Sequence, residues 1–364
     1  MMFMNLFDAN RPLQIADQGC FFVGGQYIET DAGSVMSGQM FVQYQIPGNL
    51  RCPYPLVMIH GGGQTAVNFL CTPDGRRGWA DFFVANGYAV YVVDQPGRGR
   101  SGYFPGSYGK PESRSAEVIE RRFTAPEKTA RWPQAKLHTQ WPGDGSTGDP
   151  VFDQFYASQV NSMSDMAQLE GLMRNAGSEL LDRIGPALLL THSQSGPFGW
   201  TIAYARPGLV RGIVAVEPSG GPFIDLKFEE SSNCLKEGQI ARPWGITRGA
   251  IRFEPFASSA TDIRFIRQDK PDGPELACCW LQTEPARQLP NLKGIPVLVL
   301  TSAASYHASY DHCTSLFLRQ AGVENDFVRL PEVGIHGNGH MMMLEKNNLE
   351  IAEFIRSWFE KKVH

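Results

Sequence analysis

Short apolar runs, each closed by glycine or a polar residue, recur along the chain and alternate with stretches whose apolar residues keep helical spacing. Pro55–His60 (PLVMIH) ends on three glycines, and Tyr88–Asp94 (YAVYVVD) ends on a polar residue and a glycine-rich turn. Both have the pattern of strands buried on two faces. Between them, Gly78–Asn86 (GWADFFVAN) has helical spacing and a stop at Gly87. Strand, helix, strand predicts a parallel crossover unit. The rhythm returns as a helix over Ser164–Arg183, a strand over Ala187–Thr191, a helix over Gly196–Ala205 and a strand over Gly212–Val216. It closes with a strand at Val297–Thr301, a helix at Thr314–Ala321, a strand at Asp326–Leu330 and an amphipathic helix at Asn348–Lys361. Ahead of all this, Phe21–Glu29 and Met40–Ile46 predict a strand pair. The expected fold class is α/β, with a mostly parallel central sheet flanked by helices.

Two stretches break the rhythm. Residues 103–153 are dense in Pro, Gly, Ser and charge, and 221–290 is a mixed segment with GGPF, ARPW and FEPF turns. Connections this long commonly serve as lids or binding loops, so both are expected as excursions from a single domain spanning 1–364. Trp244, Phe253, Phe256 and Trp280 in the second excursion suggest an apolar lining, with Trp244 and Phe253 as candidate substrate contacts.

Composition narrows the function classes. The 364 residues are 42% hydrophobic and 19% charged, with a formal net charge of −4, which is a folding composition with no basic run to neutralise a phosphate backbone. Nucleic acid is not an expected partner. The longest apolar runs fall far short of a membrane span. Seven cysteines, odd in number and without C-x-x-C spacing, suggest a reducing compartment, with Cys278 and Cys279 as two buried thiols rather than a vicinal disulfide. The opening MMFMNLFDANRP lacks a basic n-region and a cleavage site, so the expected location is cytoplasmic.

The chemistry centres on Leu188–Gly196 (LLLTHSQSG), where a buried strand runs into Ser193 and a helical pattern follows. A hydroxyl on such a turn stands out of the sheet above the positive end of the next helix, as a nucleophile requires. The flanking small positions are Thr191 and Ser195 instead of the usual glycines. The alternative register makes Ser195 the nucleophile. His60-Gly61-Gly62-Gly63, just after another strand, would let backbone N–H groups reach an oxyanion, with Gly62 preferred, Gly63 second, and Gln194 as the other donor. Gly63 is also a candidate substrate contact.

These parts, with DQPGRGRSG at Asp94–Gly102 and GNGHMMMLE at Gly337–Glu345, resemble the α/β-hydrolase superfamily from about residue 20 to 360. More narrowly, the S-Q-S-G elbow, the TPDGRRGW string at Thr72–Trp79 and the GNGHMMM string are similar to a small bacterial esterase group. The resemblance implies a triad in the order serine, acid, histidine. His340 matches the family spacing for the base, leaving His336 as a loop neighbour that faces substrate. The acid in that group is a glutamate after the sixth strand, and Glu217 stands there, 24 residues beyond Ser193. Asp311, after the seventh strand, is the alternative.

The resulting expectation is a serine carboxylesterase or lactonase acting on a mostly apolar small-molecule ester without a cofactor. Homodimer formation is compatible with the sequence. Carbon–carbon hydrolysis, acyl transfer, lyase or cyclase chemistry on the same fold, and a hydrolase-shaped binding protein, are the rival readings. Gly97–Gly102 satisfies G-x-G-x-x-G, but no helix pattern follows, which argues against a dinucleotide site. His307, Asp311 and His312 have near-helical ligand spacing without a third strong ligand nearby, so they are read as a solvated helix start, with no metal.

Overall fold

The computed structural model describes residues 12–31, 33–228 and 235–363. Eight strands form one sheet: β1 (Ile15–Thr30), β2 (Gly33–Pro47), β3 (Leu56–Ile59), β4 (Val90–Asp94), β5 (Ala187–His192), β6 (Val210–Val216), β7 (Val297–Thr301) and β8 (Asp326–Arg329). Their order across the sheet is β1-β2-β4-β3-β5-β6-β7-β8. β2 runs antiparallel to β1 and β4, and every pair from β4 to β8 is parallel. The crossovers use the helices α1 (Trp79–Ala85), α2 (Pro150–Ala157), α3 (Met166–Ile184), α4 (Gly196–Ala205) and α5 (Asp311–Gln320), and α6 (Asn348–Lys362) closes the chain.

Period-two alternation divides the core between the faces of the sheet. Val57, Ile59 and Leu189 point to one face and pack with Leu169 and Met173 of α3 and Phe198 of α4. Leu56, Met58, Leu188 and Leu190 point to the other, with Phe82 and Phe83 of α1 and Ile351 and Ile355 of α6. Burying both faces removes the polar alternation from the central strands, which is why they read as continuous apolar runs. α3 starts where Asp165 Oδ1 accepts from the N–H groups of Ala167 and Gln168, both at 2.9 Å, satisfying two of the donors a helix start leaves free.

The first excursion folds as short helical turns and α2, and the second as small antiparallel hairpins. Trp244 and Phe253 do not line the cleft at Ser193, contrary to expectation. Phe253 is fully buried with Ile246, Ile251, Ile263 and Leu289, and Trp244 packs on the same cluster. An excursion of this length needs apolar anchors of its own, and these residues supply them.

Cysteine pairing also departs from expectation. Cys279 is bonded to Cys313 of α5, and Cys278 is a half-buried free thiol. Such a bond fits an oxidising compartment, where the odd count and wide spacing had suggested free thiols. The segment Met1–Arg11 lies outside the described residues.

Candidate active site

The parallel strands all end on one edge of the sheet, and the turns beyond β3, β5, β6 and β7 meet there. The turn after β5 is tight. Ser193 sits at φ 54°, in the left-handed region that side chains rarely occupy, and lines a cleft of about 410 Å³. Gly196 is required just beyond it, because a Cβ there would lie 2.4 Å from Pro218 Cβ. Ser195 is turned inward. It is fully buried, its Oγ donates to Ile59 O at 2.7 Å, and it accepts from His192 N–H at 2.8 Å, so this hydroxyl fastens the turn to β3.

The glycine turn after β3 presses against this elbow. A Cβ on Gly61 would lie 2.9 Å from His192 Nδ1 and 3.2 Å from Ser193 Cβ. Gly62 and Gly63 both line the cleft, and their N–H groups donate to no acceptor among the described residues. The Gln194 side chain is held by Arg98, whose Nη2 donates to Gln194 Oε1 at 2.8 Å.

Glu217 follows β6 at φ 45° and is fully buried. Its Oε2 meets His340 Nδ1 at 2.5 Å and accepts from Ser305 Oγ at 2.7 Å. Its Oε1 accepts from Ser302 N–H at 2.8 Å and Ser302 Oγ at 2.6 Å. Burial raises its pKa, while His307 and the two serines act in the opposite direction. His340 is held well below the ordinary histidine range, by burial first and then by His307, Arg122 and Arg114, which keeps the ring neutral. Its Nε2 lies 3.5 Å from Tyr306 Oη, and Phe123 stacks on the ring with centroids 5.2 Å apart. No hydrogen bond joins Ser193 Oγ to His340 among the described residues, a common state for such pairs before substrate binds.

Asp311 does not reach His340. It is fully buried at the start of α5, with Oδ1 on His307 Nδ1 at 2.8 Å and Oδ2 accepting from Thr301 Oγ1 at 2.8 Å. The expected solvated helix start is therefore corrected: His307, Asp311 and His312 are all buried. The His307 ring stacks on His340, centroids 4.8 Å apart and 12° from parallel. His336 is exposed, outside the cleft, and only its backbone carbonyl is engaged, by Gln140 Nε2 at 3.1 Å. Glu345 shapes the loop that carries His340, accepting from Gly339 N–H at 2.9 Å and Asn338 Nδ2 at 2.7 Å. His138 bridges that carboxylate and Glu127, at 2.8 and 2.9 Å. Burial opposes its charge, but the two carboxylates prevail and raise its pKa to about 9.

The cleft walls are more polar than expected. Arg114, Arg122 and Phe123 come from 103–153, Arg248 from 221–290, and Tyr306 from the turn after β7. Sequence reasoning missed Ser302, Ser305 and these arginines, and read His307 as part of a solvated helix start. The only available signals were the hydroxyl-rich TSAAS string where an acid commonly stands and the His-x-x-x-Asp spacing beside it.

A model of the alpha/beta hydrolase family matches residues 56–354. The chain belongs to the alpha/beta hydrolase family. A protein of a fungal species (strain ATCC 74256), named a probable secreted lipase, is 48% identical over 343 residues, covering 94% of this chain and 89% of that protein. The solved structure of a novel bacterial esterase has a TM-score of 0.63 at 26% identity, covering 97% of this hydrolase and 98% of that chain. These similarities mark the protein as a hydrolase of the esterase and lipase type. The relative's description as secreted overturns the cytoplasmic expectation, and the Cys279–Cys313 bond agrees with that correction. No helix among the described residues is long and apolar enough to cross a membrane.

Proposed function

We propose that this hydrolase is a secreted serine esterase that cleaves a carboxylic ester or lactone through an acyl-enzyme. The observation that carries the reading is the 2.5 Å contact between Glu217 and His340 Nδ1, in the turns that also hold Ser193 at the cleft. Ser193 Oγ attacks the ester carbonyl while His340 Nε2 takes its proton. Glu217 accepts from Nδ1–H, which fixes the tautomer that leaves Nε2 basic and stabilises the imidazolium that forms. The carbonyl oxygen becomes an oxyanion held by the N–H groups of Gly62 and Gln194. Its collapse expels the alcohol, which leaves with the proton from His340. Water then attacks the acyl-enzyme with His340 again as base, releasing the acid and restoring Ser193.

The 103–153 and 221–290 segments act as lids, contributing cleft walls from above the sheet edge. Similarity to a protein named a probable secreted lipase supports both ester chemistry and an extracellular location. The test is a panel of p-nitrophenyl esters of graded acyl length, assayed with wild type and Ser193→Ala. Ser193-dependent release of nitrophenol is expected across the panel. Unchanged turnover in Ser193→Ala would overturn the reading.

A further inference from the structure

Arginines converge on the cleft beside Ser193 with fewer carboxylates than guanidiniums around them. Arg114, Arg122 and Arg248 all line it. Arg114 Nη1 donates to Gly62 O at 3.3 Å, which places its guanidinium on the glycine turn itself. Arg122 lies over the Tyr306 ring, 4.9 Å from its centroid. None of the three is in an ion pair among the described residues. Behind the elbow, Arg98 is 1% exposed and likewise has no carboxylate partner among the described residues. It donates to Gln194 Oε1 at 2.8 Å and Gly61 O at 3.3 Å, and its Nε is unpartnered.

The acidic residues lining the cleft are Glu112 and Asp225, and Asp225 is taken by Arg242 at 2.8 Å. Among the described residues, Glu112 is the one unpaired carboxylate lining the cleft, and of the three arginines Glu170 lies near Arg248 alone, so Arg114 and Arg122 outnumber their acidic neighbours in a protein whose net charge is −4. The positive field is local to the cleft rather than inherited from the whole chain. The arginines also oppose one another: after desolvation, Arg122 helps to lower Arg114, against the partial offset of Tyr306 and Glu112, and Arg114 helps to lower Arg98. Crowded like charges oppose folding, and a bound anion relieves them. Guanidinium forks match carboxylate and phosphate oxygens in geometry as well as charge.

Resting on the esterase reading of Ser193, we propose that the ester accepted here carries a second, anionic group, a carboxylate or a phosphate, which Arg114 and Arg122 bind. A monoester of a dicarboxylic acid is the simplest such substrate. Its ester carbonyl meets Ser193 while its free carboxylate neutralises the guanidiniums. A neutral fatty ester of the same length leaves them unpaired.

The test compares kcat/KM for p-nitrophenyl hydrogen adipate and its neutral counterpart, p-nitrophenyl methyl adipate, in wild type and in an Arg114→Gln, Arg122→Gln double variant. Wild type is expected to favour the acidic ester by at least about tenfold, with a preference that shrinks as salt is raised. The double variant is expected to lose that ratio. Competition by free adipate or by inorganic phosphate supports the proposal and tells which oxyanion the forks prefer. Equal rates on the two esters, with Ser193 dependence intact, overturn the anion site and leave the esterase reading standing. If neither ester is hydrolysed, the esterase reading fails, and calorimetry of adipate with Ser193→Ala decides the anion site by itself. Salt-sensitive binding supports it, and no binding overturns it. The same calorimetric arm serves if the double variant fails to fold.

Discussion

Two buried histidine–carboxylate pairs lie against each other beyond the ends of β6 and β7, their rings stacked. In the Glu217–His340 pair, the carboxylate accepts from Ser302, from Ser305 and from the ring. In the Asp311–His307 pair, the carboxylate has the ring and Thr301 alone, and burial with the nearby Glu217 raises its pKa well above the ordinary range. Geometry within each pair is similar. Burial raises both carboxylates, and the surrounding donors differ: Ser302 and Ser305 pull against that rise at Glu217, whereas only Thr301 does so at Asp311. His307 instead presents a flat ring to His340 and packs against it.

The largest expected effect separates the elbow's two serines. Ser193→Ala should lose at least about 10⁴-fold in kcat with an unchanged circular dichroism spectrum. Ser195→Ala should instead lose stability, about 1–3 kcal/mol in denaturant melts, since it leaves the Ile59 and His192 backbone groups without their partner. A reversal of these two outcomes would move the nucleophile to Ser195.

The carboxylates come next. Glu217→Gln should lose about 10²–10⁴-fold in kcat, because the amide favours the wrong ring tautomer. Asp311→Asn should stay within about tenfold, since it touches only His307 and Thr301. Steady-state kinetics on one ester measures both, and a larger loss in Asp311→Asn would invert the assignment of the two pairs.

A stability prediction follows from His138, whose pKa in the folded protein is about 9. This value lies above the unfolded one, so the stabilisation is fully present below about pH 6.5 and is lost as pH rises through about 9. Its size is on the order of a few kcal/mol. Melting temperatures from pH 6 to pH 10 should fall across that window in wild type and much less in His138→Gln.

The smallest shift concerns pH and rate. His340 must be neutral to take a proton, and its pKa is depressed by burial and by nearby cations. The acid limb of kcat/KM should therefore lie below the ordinary histidine value near 6.5. Arg122→Gln removes one cation and should move that limb upward. An acid limb above 6.5 in wild type would contradict the described environment of His340.

The corner proposed as the triad could be read from the sequence because it depends on local grammar. A buried strand running into His192-Ser193-Gln194, glycines after β3, and Glu217 at a strand end each announce themselves within a few residues. His340 followed from chain order and from resemblance. The rest depends on contacts made through space. Nothing local tells that Cys279 meets Cys313, that Phe253 anchors a small core while Arg114 and Arg122 reach the cleft, or that His307 stacks on His340. Aromatic residues in a long loop can line a pocket or hold the loop down, and here Trp244 and Phe253 hold it down.

The most direct test of the nucleophile is intact-protein and peptide mass spectrometry after exposure to a p-nitrophenyl alkylphosphonate. Attack by Ser193 Oγ on phosphorus expels nitrophenolate and leaves a stable phosphonyl ester. The account predicts one adduct, on Ser193, formed much more slowly in Glu217→Gln and absent in Ser193→Ala. An adduct on Ser195, or continued labelling of Ser193→Ala at the same rate, would contradict it.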